Sequence, residues 1–338
     1  MKHSLFRSHF LLALVLPVLF CLPARAQDPD DIVRTETNLV QLNVGVVDAR
    51  GRAVTSLSQS DFKIYEDGVS QQILHFDAVD APFSLVLLLD TSGSTITFRD
   101  QMKQAAVRFL DALAPEDRVA VIQFNAKVKM LTGFSTDREK TAYAILQRAD
   151  GAGETHFYEA LKYALGELDK EGNKRRKAVV VMTDGLDTGV RNADRPLVAN
   201  AQTDAEAFAA IDPKASPALN AVLSAADRQG VSIFPLALPS GDPKRLPLPD
   251  PRINGMYAAA RSRLQILADR SGGRLNEIQR LDQMARLYAE VAAELRTLYT
   301  VAYQAPGERT RNGKWHEIKI EVIKPELVVR TRPGYYSR

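Results

Sequence analysis

At 338 residues, with 45% hydrophobic and 25% charged side chains, the chain has room for one large or two modest domains and can bury a sizeable core without cross-links. A net charge of +3 argues against a dedicated nucleic-acid surface. The basic run Lys174-Arg175-Arg176-Lys177 reads as a solvated turn before a strand.

Residues 1–26 have the pattern of a cleaved secretory signal: Lys2 and Arg7, an apolar run from Phe10 to Leu22, then Ala24-Arg25-Ala26. That run is too short for a permanent bilayer span, and no later segment is long and apolar enough to be one. The expectation is export, to periplasm, cell surface or medium, with a mature chain from about Gln27. Cys21, the one cysteine, falls inside this segment. The mature chain then has no disulfide, no thiol catalysis and no cysteine-ligated zinc.

A short acidic linker (Asp28 to Asp31) precedes a β-rich N-terminal segment, 27–80. Strands are expected over Leu39 to Val47, over Asp61 to Glu66 with an Asp67-Gly68 turn, and over Gln71 to Phe76. From 81 to 297 the rhythm is α/β. Phe83 to Asp90 and Ala178 to Met182 are continuous apolar runs, which read as strands buried on both faces. Arg118 to Phe124 is a strand with Lys127 to Leu131 as its antiparallel neighbour. Helices are expected at Arg99 to Leu113, Asp137 to Arg148, Phe157 to Leu168, Pro217 to Gln229, Ala258 to Arg270 and Leu281 to Arg296. Residues 190–215 read as an irregular surface insertion holding at most a short helix around Asp204 to Ile211, and Pro239 to Pro251 as a loop. The C-terminal segment, 298–338, returns to strands at Leu298 to Tyr303, Trp315 to Ile323 and Leu327 to Arg330. The predicted fold class is α/β. A doubly wound, mostly parallel sheet is inserted in a small β-sandwich-like domain built from both chain ends, 298–338 packing with 35–80.

Candidate chemistry gathers at strand ends. Asp90-Thr91-Ser92-Gly93-Ser94 follows the first buried strand, where open α/β sheets place their ligands. A carboxylate with two neutral oxygens suits a hard divalent cation better than a phosphate. Residue by residue, Asp90 and Thr155 can equally serve as helix caps, and Asp184-Gly185 as a plain turn. Together, Asp90-Thr91-Ser92-Gly93-Ser94, Gly151-Ala152-Gly153-Glu154-Thr155 and Val181-Met182-Thr183-Asp184-Gly185 resemble, in order, the metal-ion-dependent adhesion site of the von Willebrand factor type A (VWA) family. The resemblance covers roughly 81–300. Leu57 to Phe62, Tyr65 to Gly68 and Arg332-Pro333-Gly334-Tyr335-Tyr336 look like the VWFA-related secreted bacterial proteins, of the acidobacterial type.

The resemblance implies a VWA/Rossmann-like fold and a Mg2+ site, with Mn2+ or Ca2+ as alternatives. Ser92, Ser94 and Thr155 would be direct ligands, and Asp90 and Asp184 would act through water, although Asp184 can also bind directly. It further implies a protein partner presenting Asp or Glu to the metal, with no nucleic acid involved. A Mg2+-dependent hydrolase of the haloacid-dehalogenase type also begins with a buried strand ending in Asp. That chemistry needs a second acid two residues on, where this chain has Ser92. The expectation is a binding module rather than an enzyme, with a structural envelope protein carrying an unused metal site as the alternative.

Overall fold

In this computed structural model, residues 39–79, 81–172, 175–238, 250–306 and 313–337 are described. The secretory-signal and acidic-linker assignments lie outside them, as does most of the Pro239 to Pro251 loop. Strands β1 (Leu39–Val47), β2 (Phe62–Glu66), β3 (Val69–Gln71) and β4 (Ile73–Asp77) come first. The α/β portion runs β5 (Phe83–Asp90), α1 (Arg99–Ala112), β6 (Arg118–Phe124), β7 (Val128–Ser135), α2 (Arg138–Arg148), α3 (Phe157–Lys170) and β8 (Arg176–Thr183). It continues through α4 (Thr188–Asp194), α5 (Asp204–Ala209), α6 (Pro217–Gln229), β9 (Ser232–Ala237), α7 (Pro251–Ser271), β10 (Asn276–Glu277) and α8 (Met284–Leu295). Strands β11 (Leu298–Gln304), β12 (Trp315–Val322), β13 (Val328–Arg330) and β14 (Gly334–Tyr336) follow.

The central sheet has the order β10-β9-β8-β5-β6-β7, parallel throughout except for β7. Every residue of β5 and β8 is buried, because helices cover both faces. Leu85, Leu87 and Leu89 pack with Phe109 of α1 and Tyr288 and Val291 of α8. Val86 and Leu88 point the other way, to Phe157 and Leu161 of α3 and Leu264 of α7. Successive residues feed opposite cores, so an apolar run without alternation is what this position requires. Each buried leucine contributes about 1.5–3 kcal/mol of transfer free energy.

The two chain ends build a pair of antiparallel four-stranded sheets, β13-β1-β11-β4 and β14-β12-β2-β3. Strand β1 pairs with β11 from Leu39↔Gln304 to Gly45↔Leu298, and β2 with β12 from Ile318↔Glu66 to Val322↔Phe62. Val40, Leu42 and Val44 meet Ile64, Tyr299, Val301 and Ile320 in a shared core. The α/β portion lies between those ends in sequence, as expected.

Several expectations need correction. The strand expected over Gln71 to Phe76 is two strands: β3 closes a hairpin on β2, whereas β4 crosses to the other sheet and pairs with β11. Strand β14 was not anticipated. Residues 190–215 hold the expected short helix, α5, but are not a surface insertion, because Val198, Ala207 and Ile211 form a small core with Met256 and Ala259 of α7. Helix α7 begins at Pro251, seven residues ahead of the expected Ala258. Proline needs no N–H partner in a first turn, and the Asp250 side chain accepts from the Arg252 N–H. The second half of the basic run is not solvated either, while Lys174 lies outside the described residues. Arg176 and Lys177 are each 3% exposed. The Arg176 guanidinium lies over the Phe83 ring, 4.1 Å from its centroid, and donates to the carbonyls of Val79, Ala81 and Leu298.

Candidate metal centre

Strands β5 and β8 are adjacent and parallel, so Asp90 and Asp184 leave the sheet at the same edge. Asp90 is fully buried, and both its carboxylate oxygens are engaged. Oδ1 accepts from the Ser92 N–H at 3.0 Å, and Oδ2 from the Thr183 hydroxyl at 2.7 Å. Ser92, also fully buried, has its Oγ 3.2 Å from that of exposed Ser94. The turn is fixed by Thr95, whose hydroxyl donates to the carbonyls of Asp90 (2.8 Å) and Ser92 (3.0 Å). Arg99, 8% exposed, adds a brace: it donates to the carbonyls of Thr91 and Ser92, and to Asp150 at 2.6 Å.

Asp150 opens the second loop. The Gly93 N–H donates to the Gly153 carbonyl at 3.1 Å, joining that loop to the first. A Cβ on Gly151 would stand 1.9 Å from Asn125 Nδ2 and 3.0 Å from Thr91 Oγ1, so a larger residue here would have to displace the Asn125 side chain. Thr155, buried at 7% exposure, is clasped to the third loop. Its N–H donates to the Thr188 hydroxyl at 3.0 Å, and its carbonyl accepts from the Thr188 N–H at 2.9 Å. His156 turns to acidic neighbours, with Nδ1 3.2 Å from Glu159 and Nε2 3.6 Å from Glu154.

Asp184 is 3% exposed. Its Oδ1 accepts from the Leu186 N–H at 3.0 Å, while Oδ2, buried, has no hydrogen-bond partner among the described residues. The Ser94 hydroxyl approaches closely enough to favour the charged form without completing a bond to Oδ2. Burial raises the Asp90 pKa to about 7, with the Asp184 charge as second cause, against the opposing hydrogen bonds from Ser92 and Thr183. Burial likewise raises Asp184, opposed by Leu186, Ser94 and the Arg261 charge. No lysine or arginine among the described residues hydrogen-bonds to either carboxylate.

Asp90, Ser92, Ser94 and Asp184 are thus in mutual contact or direct electrostatic communication, and Thr155 is tied to them through two loops. Sequence reasoning missed Thr95, Arg99, Asp150, Thr183 and Thr188, which hold the loops in place. The hydroxyl of Thr183, directly before Asp184, was the one available signal.

The von Willebrand factor type A domain model matches residues 85–186, a span that contains all five expected site residues. An uncharacterized protein of Synechocystis sp. is 32% identical over 106 residues, 31% of this chain and 25% of that protein. The chain thus spans about a quarter of the length of that curated relative. Among solved structures, the vWF domain of the type V pili tip protein Mfa5 from Porphyromonas gingivalis is similar at 14% identity and a TM-score of 0.47, covering 63% of this chain and 94% of that one. A von Willebrand factor type A protein from Catenulispora acidiphila is similar at 12% identity and a TM-score of 0.46, covering 90% of this chain and 64% of that one. The von Willebrand factor type A match is thus carried by the segment from β5 through the turn after β8.

Proposed function

We propose that this protein is an exported, metal-dependent protein-binding module of the adhesion type. Ser92, Ser94 and Thr155 supply neutral oxygens to a divalent cation, Mg2+ foremost with Mn2+ or Ca2+ as alternatives, and Asp90 and Asp184 hold it through water. The observation that carries this reading is the bare, buried Asp184 Oδ2 beside a second buried carboxylate. Two buried acids to which no lysine or arginine among the described residues hydrogen-bonds call for a cation, and the oxygen-only donor set suits Mg2+.

With neutral side chains as direct ligands, the ion keeps its appetite for an anion. The bound metal supplies the electrophilic centre that an Asp or Glu of a partner completes. Both oxygens of Asp90 are already taken by Ser92 and Thr183, which favours its acting through water. VWA domains are generally interaction modules rather than enzymes, and nothing here assigns a nucleophile. No helix among the described residues is long and apolar enough to cross a membrane. Export rests on residues 1–26, and membership of the VWFA-related acidobacterial type on the flanking β motifs.

Calorimetric titration with Mg2+, repeated on Asp90→Ala and Ser94→Ala, tests the metal. Saturable binding lost in both variants supports the reading, and binding unchanged in both refutes it. Capture of envelope proteins with Mg2+ and then with chelator tests the partner. Proteins retained equally well by chelated protein and by Asp90→Ala count against a metal-mediated contact.

A further inference from the structure

In the β-sandwich, three side chains converge from opposite ends of the chain. Glu66 ends β2 fully buried, and His316, 4% exposed, sits on the paired strand β12. Asp67 starts the β2–β3 hairpin in a left-handed conformation, φ 49°. One ligand atom from each lies within 4.8 Å of the others. His316 Nδ1 is 2.8 Å from Asp67 Oδ2 and 3.8 Å from Glu66 Oε1. Glu66 Oε2 is saturated by the hydroxyls of Tyr303 (2.6 Å) and Tyr335 (3.2 Å). Oε1 is buried, faces the imidazole and has no hydrogen-bond partner among the described residues.

We infer that Glu66, Asp67 and His316 form a second metal site, selective for a zinc-like transition ion, that clamps the two chain ends together. Ligand bonds of about 2.0–2.2 Å in tetrahedral geometry put donor atoms roughly 3.4 Å apart, and the observed 2.8 and 3.8 Å straddle that value. One imidazole with two carboxylates suits zinc and its neighbours, whereas Mg2+ and Ca2+ prefer oxygen alone. The far ring nitrogen, Nε2, lies 3.3 Å from the Ser337 hydroxyl, the kind of outer partner that orients a ligating histidine. Asp67 is 33% exposed on its side chain, which gives an ion a route in. The clamp would join residues 249 positions apart in a chain whose single cysteine can close no internal disulfide. This site does not depend on the Mg2+ reading.

The test uses the full chain, stripped with chelator and returned to excess Mg2+. Zn2+ is titrated by calorimetry, and Co2+ is followed by the visible absorption of a tetrahedral ion. Wild type and Asp90→Ala should each take one equivalent, with the cobalt band and a raised melting temperature. His316→Ala should lose all three, and Asp67→Asn should bind at least about tenfold more weakly. Asparagine tolerates left-handed backbone and keeps an oxygen for the Glu317 N–H that Asp67 Oδ1 now accepts at 2.9 Å, so this second variant stays folded. The proposal falls if folded wild type takes up neither ion. It falls equally if His316→Ala and Asp67→Asn bind as wild type does, or if Asp90→Ala abolishes the cobalt band. A proton on Nδ1 would then be what bridges the two carboxylates.

Discussion

Replacing Asp184 with asparagine should stabilise the metal-free protein while abolishing its Mg2+ affinity. In the metal-free state, the rise of the Asp90 pKa from 3.8 to about 7 corresponds to roughly 4 kcal/mol of folding free energy lost when that group ionises. Burial is the larger cause and the Asp184 charge the second, so neutralising Asp184 should return about 1–2 kcal/mol of it. The amide also offers an N–H2 where Asp184 Oδ2 is bare, and its oxygen can still accept from Leu186. The sign follows from proton binding: between pH 3.8 and about 7 the folded state holds more protons at Asp90 than the unfolded chain does. The carboxyl's contribution is therefore lost as pH rises through that window. Denaturant unfolding in chelator at pH 5 and pH 8 should show wild type weaker at the higher pH and the variant with a smaller difference. Mg2+ should restore wild type at pH 8 and leave the variant unmoved. A variant less stable than wild type in chelator at pH 8 would refute the claim that the two carboxylates repel each other.

Mg2+ affinity itself should increase as pH is raised toward 7 and beyond, since binding needs Asp90 ionised; calorimetry in buffers of different ionisation enthalpy would reveal the released proton. Arg99→Ala removes the brace to Thr91, Ser92 and Asp150; it should cost about 2–4 kcal/mol, with hydrogen exchange accelerated at residues 91–95 before it changes elsewhere. Gly273→Ala places a Cβ 2.0 Å from the Ile233 carbonyl oxygen, a backbone atom that cannot swing away. A loss of about 1–3 kcal/mol or more is expected in the denaturation midpoint.

Much of the fold was legible where local pattern and burial say the same thing. Strand β5 needed no partner to be recognised, because a run buried on both faces must be apolar throughout. Helix α6 carried its own punctuation, Ser216 at one end and left-handed Gly230 at the other. What was lost depended on distant residues. The core of Val198, Ala207 and Ile211 exists only because α7 brings Met256 and Ala259 to it, and α4 is too short to show a period. Which sheet β4 joins is likewise decided by β11, more than 200 residues away.

Arg176 and Asp184 make the same point from opposite directions. A basic run looks like a solvated turn, yet Arg176 is buried because three backbone carbonyls and the Phe83 ring replace its water. Asp184 is equally buried, but the chain supplies one N–H and one approaching hydroxyl in place of water, and leaves Oδ2 without either. Composition registers both residues only as charged. The difference lies in how much the fold puts in place of the lost water, three carbonyls and a ring for Arg176 against one N–H bond for Asp184, and an under-compensated buried charge is what a ligand-binding site and an unstable core have in common. Thr95, Arg99 and Thr188 hold the three loops around Asp184 in place, which a binding site requires and a poorly packed core does not. On the proposed metal reading, a cation from outside would complete the shell that the chain leaves open at Asp184 Oδ2.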